Sequence, residues 1–184
     1  MRLYIKNLYE DEQKKWLLDE MENLGILHDK NIKLCEVSLH ALIPQDKLST
    51  LKEMLAGKGL EIVYDRKEIL AEQVKCLVHE MMKKDERPEE NYSQYISSRL
   101  FLNYTYIANV FSETQGITIE HYIINNKIEK AKKLLSFHDY SIGQVADKMG
   151  YSSIGHLSNQ FKKVTGMSPS EFKKQLQNNP PLNS

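Results

Sequence analysis

The chain has 184 residues, with 25 Lys+Arg against 25 Asp+Glu and a formal net charge of zero. A hydrophobic share of 41% and a charged share of 27% suit a globular domain or two, and exclude full disorder or a collagen-like chain. Taken whole, zero charge argues against a polyanionic partner, because nucleic-acid binders are usually basic.

No stretch approaches the roughly 18 uninterrupted apolar residues of a membrane span. Met1 to Asn7 lacks the apolar run of a signal peptide. A cytoplasmic protein without membrane contact is expected. Cys35 and Cys76 are 41 residues apart and match no metal-ligand spacing. In a reducing cytosol they are expected as two buried or half-buried thiols rather than a disulfide.

The first 64 residues alternate between strand and helix patterns. Leu3 and Ile5 alternate with Tyr4 and Lys6 as a short strand, and residues 11–24 put Leu17, Met21 and Leu24 on one helical face before Gly25. Ile26-Leu27 reads as a short strand and Ile32 to Leu42 as a longer one. In the longer strand a phase slip near Cys35-Glu36 suggests a bulge. Leu48, Leu51 and Leu55 give a second helix, and Leu60 to Tyr64 a last strand. The predicted order, β-α-β-β-α-β, is that of a split, ferredoxin-like sandwich. Residues 66–84 continue as a helix with Ile69, Leu70, Val74, Leu77, Val78 and Met81 on its apolar side. A polar, proline-containing stretch at 85–91 reads as a linker. Helices alone come after it, until a Pro- and Asn-rich tail over 178–184 that is expected to be disordered. The class is therefore α+β, with an all-α C-terminal half.

That half repeats itself at a spacing of 50 residues. Tyr106-Ile107-Ala108-Asn109-Val110-Phe111 falls on His156-Leu157-Ser158-Asn159-Gln160-Phe161, and Gly116-Ile117-Thr118 on Gly166-Met167-Ser168. A fixed period marks a repeated supersecondary unit. Ile107/Phe111 and Leu157/Phe161 are i,i+4 pairs on one buried face. Gly116 and Gly166 sit where a helix C-cap needs a left-handed residue. Thr118 and Ser168 are N-cap types, and Ser168-Pro169-Ser170-Glu171 is a complete helix start. Upstream of the second copy, Ser141-Ile142-Gly143-Gln144 is a capping box opening a short helix, and Gly150-Tyr151-Ser152 interrupts it. Two short helices joined by a Gly-containing turn are a helix-turn-helix. Tyr92 to Leu100, Asn103 as a cap and Tyr104 to Thr114 repeat the layout. The pattern from Ile119 to Phe137 between the copies spans roughly 28 Å as a helix. Successive major-groove faces of B-DNA lie roughly 34 Å apart.

With the apolar pairs inward, Tyr104, Thr105, Ala108, Asn109 and Ser112 face outward in the first copy, and Ser153, Gly155, His156, Asn159, Gln160 and Lys163 in the second. These are small, amide or hydroxyl groups that can enter a groove, and Asn suits a bidentate contact with adenine. Lys162, Lys163, Lys173 and Lys174 can meet phosphates.

Residues 92–177 resemble the C-terminal DNA-binding domain of AraC/XylS-type transcription regulators. Gly150-Tyr151-Ser152 through Leu157, Phe161-Lys162, Gly166, Ser168-Pro169 and Phe172 are similar to that family's signature G-[FY]-S-x-x-x-x-[FL]-x-x-x-F-K-x-x-x-G-x-[ST]-P-x-x-[FY]. Lys127 to Leu135 resembles its linker-helix motif R-x-x-x-A-x-x-L-L, with Lys127 where Arg is usual. The resemblance implies groove-facing roles for Thr105, Ala108, Asn109, Ile154, Gly155 and Asn159. Because Ala108, Ile154 and Gly155 offer no side-chain hydrogen bonds, it also implies apolar and shape readout. The N-terminal half resembles the ferredoxin-like heavy-metal-associated domain without its C-x-x-C. The loop Asn7 to Gln13 has no cysteine, so no metal site and no cofactor are expected.

The reading is a sequence-specific DNA-binding transcription regulator, not an enzyme, with double-stranded DNA as its partner and an N-terminal domain for sensing or dimerisation. RNA polymerase, a second copy of the chain and a small effector are further expected partners. The alternative is a metal- or ligand-binding sensor or adaptor acting mainly through protein partners. No nucleophile with an adjacent base, phosphate-binding Gly loop or H-E-x-x-H pattern supports catalysis. The zero charge itself dissolves on division. Residues 1–84 hold 14 basic and 15 acidic side chains, 85–90 one and four, and 91–184 ten and six. The repeated half is the basic one.

Overall fold

A computed structural model describes residues 1–83, 91–137 and 140–178. Their contacts divide them into two units, 1–83 with 91–118, and the described residues from 119 onward. Residues 85–90 of the expected linker and 179–184 of the expected tail lie outside the described residues. Among the described residues no helix is long and apolar enough to cross a membrane.

The first unit opens with β1 (Arg2–Lys6), α1 (Asp11–Asn23), β2 (Glu36–Ser38), α2 (Gln45–Ala56) and β3 (Glu61–Val63). Both outer strands run antiparallel to β1, in the order β2-β1-β3, with Leu3 opposite Val37 and Ile5 opposite Ile62. The period-2 pattern of β1 therefore puts Leu3 and Ile5 on the face that packs against Leu17 and Met21 of α1 and Leu51 and Leu55 of α2. Asp11 and Glu12 occupy the first turn of α1, where the helix dipole favours negative charge.

The expected fourth strand at Ile26-Leu27 does not form. Gly25 turns the chain in the left-handed region, and the segment after it reaches the sheet through one isolated bridge, His28 to Leu39. The long strand expected over 32–42 shrinks to β2, and its phase slip is a turn rather than a bulge. Lys33 and Glu36 exchange backbone hydrogen bonds (3.2 and 2.8 Å) around Leu34 and Cys35, whose φ angles are 49° and 59°. Positive φ at both central residues matches the twist of flanking strands, which is why such turns close hairpins. Apolar alternation continued across the turn and hid it.

The cysteines also require a correction. Both are buried, but they are bonded to each other as Cys35–Cys76, with Cα atoms 6.4 Å apart. The turn delivers Cys35 to the face of α3 (Arg66–Lys83) that carries Cys76. Sequence spacing alone carries no sign of that proximity. α4 (Tyr92–Leu100) and α5 (Tyr104–Gln115) also pack on α3 and complete this unit.

The second unit holds α6 (Ile119–Phe137), α7 (Ile142–Lys148), α8 (Ile154–Thr165) and α9 (Pro169–Asn178). Its core joins Ile128, Ala131 and Leu135 of α6, Val145 and Ala146 of α7, and Leu157 and Phe161 of α8. The Phe161 and Phe172 rings lie 5.5 Å apart and bring α9 onto α8.

Candidate nucleic-acid interface

Each helix pair is set by local chemistry. In the first, the Asn91 side chain accepts from the Gln94 N–H (2.9 Å) and starts α4, and Asn103 accepts from the Thr105 N–H (2.8 Å) and starts α5. Ile107, Val110 and Phe111 are buried, and Gly116 ends α5 at φ 70°. In the second, Ser141 and Gln144 form the reciprocal capping box (2.8 and 3.2 Å) that starts α7. The Ser153 hydroxyl accepts from the His156 N–H (3.1 Å) and starts α8, which Gly166 ends at φ 81°. Ser168 and Glu171 open α9, where the Glu171 carboxylate takes the Ser168 N–H (2.6 Å) and hydroxyl (2.7 Å). Those two bonds hold the Glu171 carboxyl below the usual glutamate range.

Burial of Ile107/Phe111 and Leu157/Phe161 decides what each second helix shows to solvent. On α5, Thr105 and Asn109 are exposed, while Tyr104 and Ala108 are half-buried. On α8, Ser153, Ile154, Gly155, His156, Asn159, Lys162 and Lys163 are all exposed. Two of these have structural work as well. Ser153 spends its hydroxyl on the cap, and the His156 ring lies 3.2 Å from the Ser152 hydroxyl and edge-on to Tyr151. An added Cβ at Gly155 meets nothing nearer than the Ser153 hydroxyl at 3.8 Å, so this glycine leaves the helix surface low without being required by the fold.

Lys127, which stands where arginine is usual, is half-buried, with its amine 5.5 Å above the Tyr151 ring. Burial lowers its pKa. Its surroundings are internal, unlike those of Lys162 and Lys163. Lys173 donates to the Tyr140 carbonyl (2.8 Å), which leaves Lys174 as the exposed lysine of α9.

The sequence pattern did not single out the turn of the first pair. Phe101 is 91% exposed and sits at φ 55°, with Leu102 and Tyr106 also exposed. In the second pair the left-handed residue is Gly150, and Tyr151, the repeat partner of Phe101, is buried. The 50-residue register implies a buried Phe101, and the one-residue shift of the left-handed position turns it outward. Position on the helix was the available signal for Tyr106, since it adjoins inward Ile107.

Residues 96–175 match a protein family described as a helix-turn-helix domain. The chain is 28% identical over 141 residues to the Msm operon regulatory protein of Streptococcus mutans, which covers 77% of this chain and 46% of the relative. It is 31% identical over 90 residues to the melibiose operon regulatory protein of Escherichia coli, covering 46% and 30%. The chain thus spans less than half the length of these relatives. Among solved structures, the DNA-binding domain of AdpA in complex with a target DNA superposes with a TM-score of 0.52 at 19% identity, covering 60% of this chain and 97% of that one. A regulator from Chromobacterium violaceum described as AraC-type gives 0.51 at 21% identity, covering 59% and 94%. The likeness to these two structures is one of fold.

Proposed function

We propose that this chain is a sequence-specific DNA-binding transcription regulator of the AraC type, and not an enzyme. The observation that carries the reading is the duplicated helix pair, every helix N-capped by a side chain, each copy with an apolar i,i+4 pair inward and an amide- and hydroxyl-bearing face outward. The match of residues 96–175 and the regulators among the relatives support it.

In this reading α5 and α8 enter successive major grooves. Thr105, Asn109, Gly155 and Asn159 approach base edges, with Tyr104, Ala108, Ile154 and His156 beside them and Ser153 and Lys163 toward the backbone. Residues 1–84 form a ferredoxin-like module for sensing or dimerisation, which is supported by the strand order and by the residual bridge at His28. A second copy, RNA polymerase and a small effector are its candidate partners. The boundary at 85–91 and the DNA-binding stretch 92–177 belong to the same reading. Selection from random duplexes with the full chain tests it. An enriched motif is expected, and a pool that stays random defeats the proposal.

A further inference from the structure

Resting on the DNA-binding reading, we infer that the two helix-turn-helix units divide the work. The second unit holds phosphates, and the first reads thymine methyl groups through an uncharged aromatic edge made by Phe101, Thr105 and Tyr106.

Charge comes first. Residues 91–118 contain one basic and one acidic side chain, Arg99 and Glu113, whereas 119–178 contain nine and five. Even these two are engaged. Glu113 pairs with Lys67 of α3 at 2.6 Å, and the Arg99 guanidinium lies 4.6 Å from the Tyr95 ring centre. Helix α5 therefore carries no cation, whereas α8 exposes Lys162 and Lys163. Phosphate contacts supply the salt-dependent part of DNA affinity, so that part belongs to the second unit.

The second, independent observation is apolar exposure. Phe101 at 91%, Tyr106 at 54% and Leu102 at 40% cluster in the turn and first turn of α5. A phenylalanine held at φ 55° and almost wholly in water costs the fold and gains it nothing, so its use lies outside the fold. In the major groove the apolar feature is the thymine C5-methyl, which Thr and aromatic side chains contact.

The test uses the full chain and its selected duplex, with each thymine replaced in turn by uracil, which lacks only the methyl. The wild type is expected to lose affinity about fourfold at one or more positions, the worth of one buried methyl. Phe101→Ser/Tyr106→Ser is expected to lose that sensitivity while leaving the slope of log K against log salt unchanged. Lys162→Gln/Lys163→Gln is expected to keep the sensitivity and flatten the slope by about 0.9 per lysine. Circular dichroism confirms that each variant is folded. Indifference to uracil at every position, or a salt slope altered by the first-unit variant, overturns the inference and leaves the DNA-binding reading standing. So does an unchanged affinity with a shift from dimer to monomer in sedimentation, which would make the patch a protein contact. Failure of the selection itself removes the underlying reading instead.

Discussion

Phe101 and Gly166 hold the same backbone region with opposite side-chain demands. Gly166 has open space around an added Cβ, so Gly166→Ala carries only the left-handed penalty and should lose about 1–2 kcal/mol in urea denaturation. Phe101→Gly should lose none, because a side chain 91% exposed contributes no packing and glycine relieves the same penalty. Glu171 gives a pH test. Its carboxyl is depressed in the folded chain, so its contribution is present above the ordinary glutamate value and lost as pH falls through the lower folded value. Glu171→Gln should reduce the acid-side fall of the melting temperature, and an unchanged fall would count against the cap. Caps of this kind were legible from sequence because they act over three residues, as at Ser141, Asn103 and Ser168. The orientation of Phe101 was not, because it depends on a one-residue shift of the left-handed position between the two copies.

At the level of elements, α3 decides most. Its apolar pattern was readable, but Glu72 and Lys75 look like solvated positions in the sequence and are buried in the structure. Glu72 accepts from the Asn7 N–H (3.1 Å), the Tyr9 hydroxyl (2.6 Å) and the Lys75 amine (2.7 Å), fastening the loop between β1 and α1 to α3. Nearby, the Tyr9 and His79 rings stack at 4.3 Å, and Lys83 reaches Asp11 at 3.1 Å. The loop between β1 and α1 is thus a packing surface for α3. Glu72→Ala leaves Lys75 buried without its carboxylate and should cost about 3–5 kcal/mol, whereas Glu72→Met with Lys75→Leu should recover most of that. Thermal melts of the single and double variants decide it, and a double variant no better than the single would show that the Asn7 and Tyr9 bonds dominate. The Cys35–Cys76 bond closes a loop of about forty residues, for which chain entropy gives roughly 4 kcal/mol, so Cys76→Ser should lower the midpoint markedly. Pairing of this type, between a turn and a helix far along the chain, has no local signature. The absent strand at Ile26-Leu27 and the shortened β2 have the same origin, since alternation reports apolar faces and not which backbone groups find partners.

For the whole molecule, the zero net charge constrains DNA binding less than it first suggests, because it sums unlike regions. The excess of four positive charges in 119–178 is spread unevenly in function. Lys127 lies half-buried over an aromatic ring, Lys132 pairs with Glu129 at 2.6 Å, and Lys173 holds a carbonyl. Lys162, Lys163 and Lys174 are exposed on α8 and α9 and are the phosphate contacts of the proposed function. Three such contacts give a slope near −2.7 in log K against log salt, so non-specific affinity should fall only about fortyfold between 50 and 200 mM salt. With so small an electrostatic share, discrimination has to come from the helix faces. Gly155→Ala isolates the contribution of the helix face. An added methyl meets only the Ser153 hydroxyl at ordinary contact distance, so the fold should be untouched. At a helix surface pressed into a groove the same methyl stands where a base edge must approach. Affinity for the selected duplex should therefore drop about tenfold or more, while non-specific binding and its salt slope stay as they were. Equal losses on both duplexes would place Gly155 against the backbone, and no loss on either would move the reading surface of α8 away from its N-terminal turn.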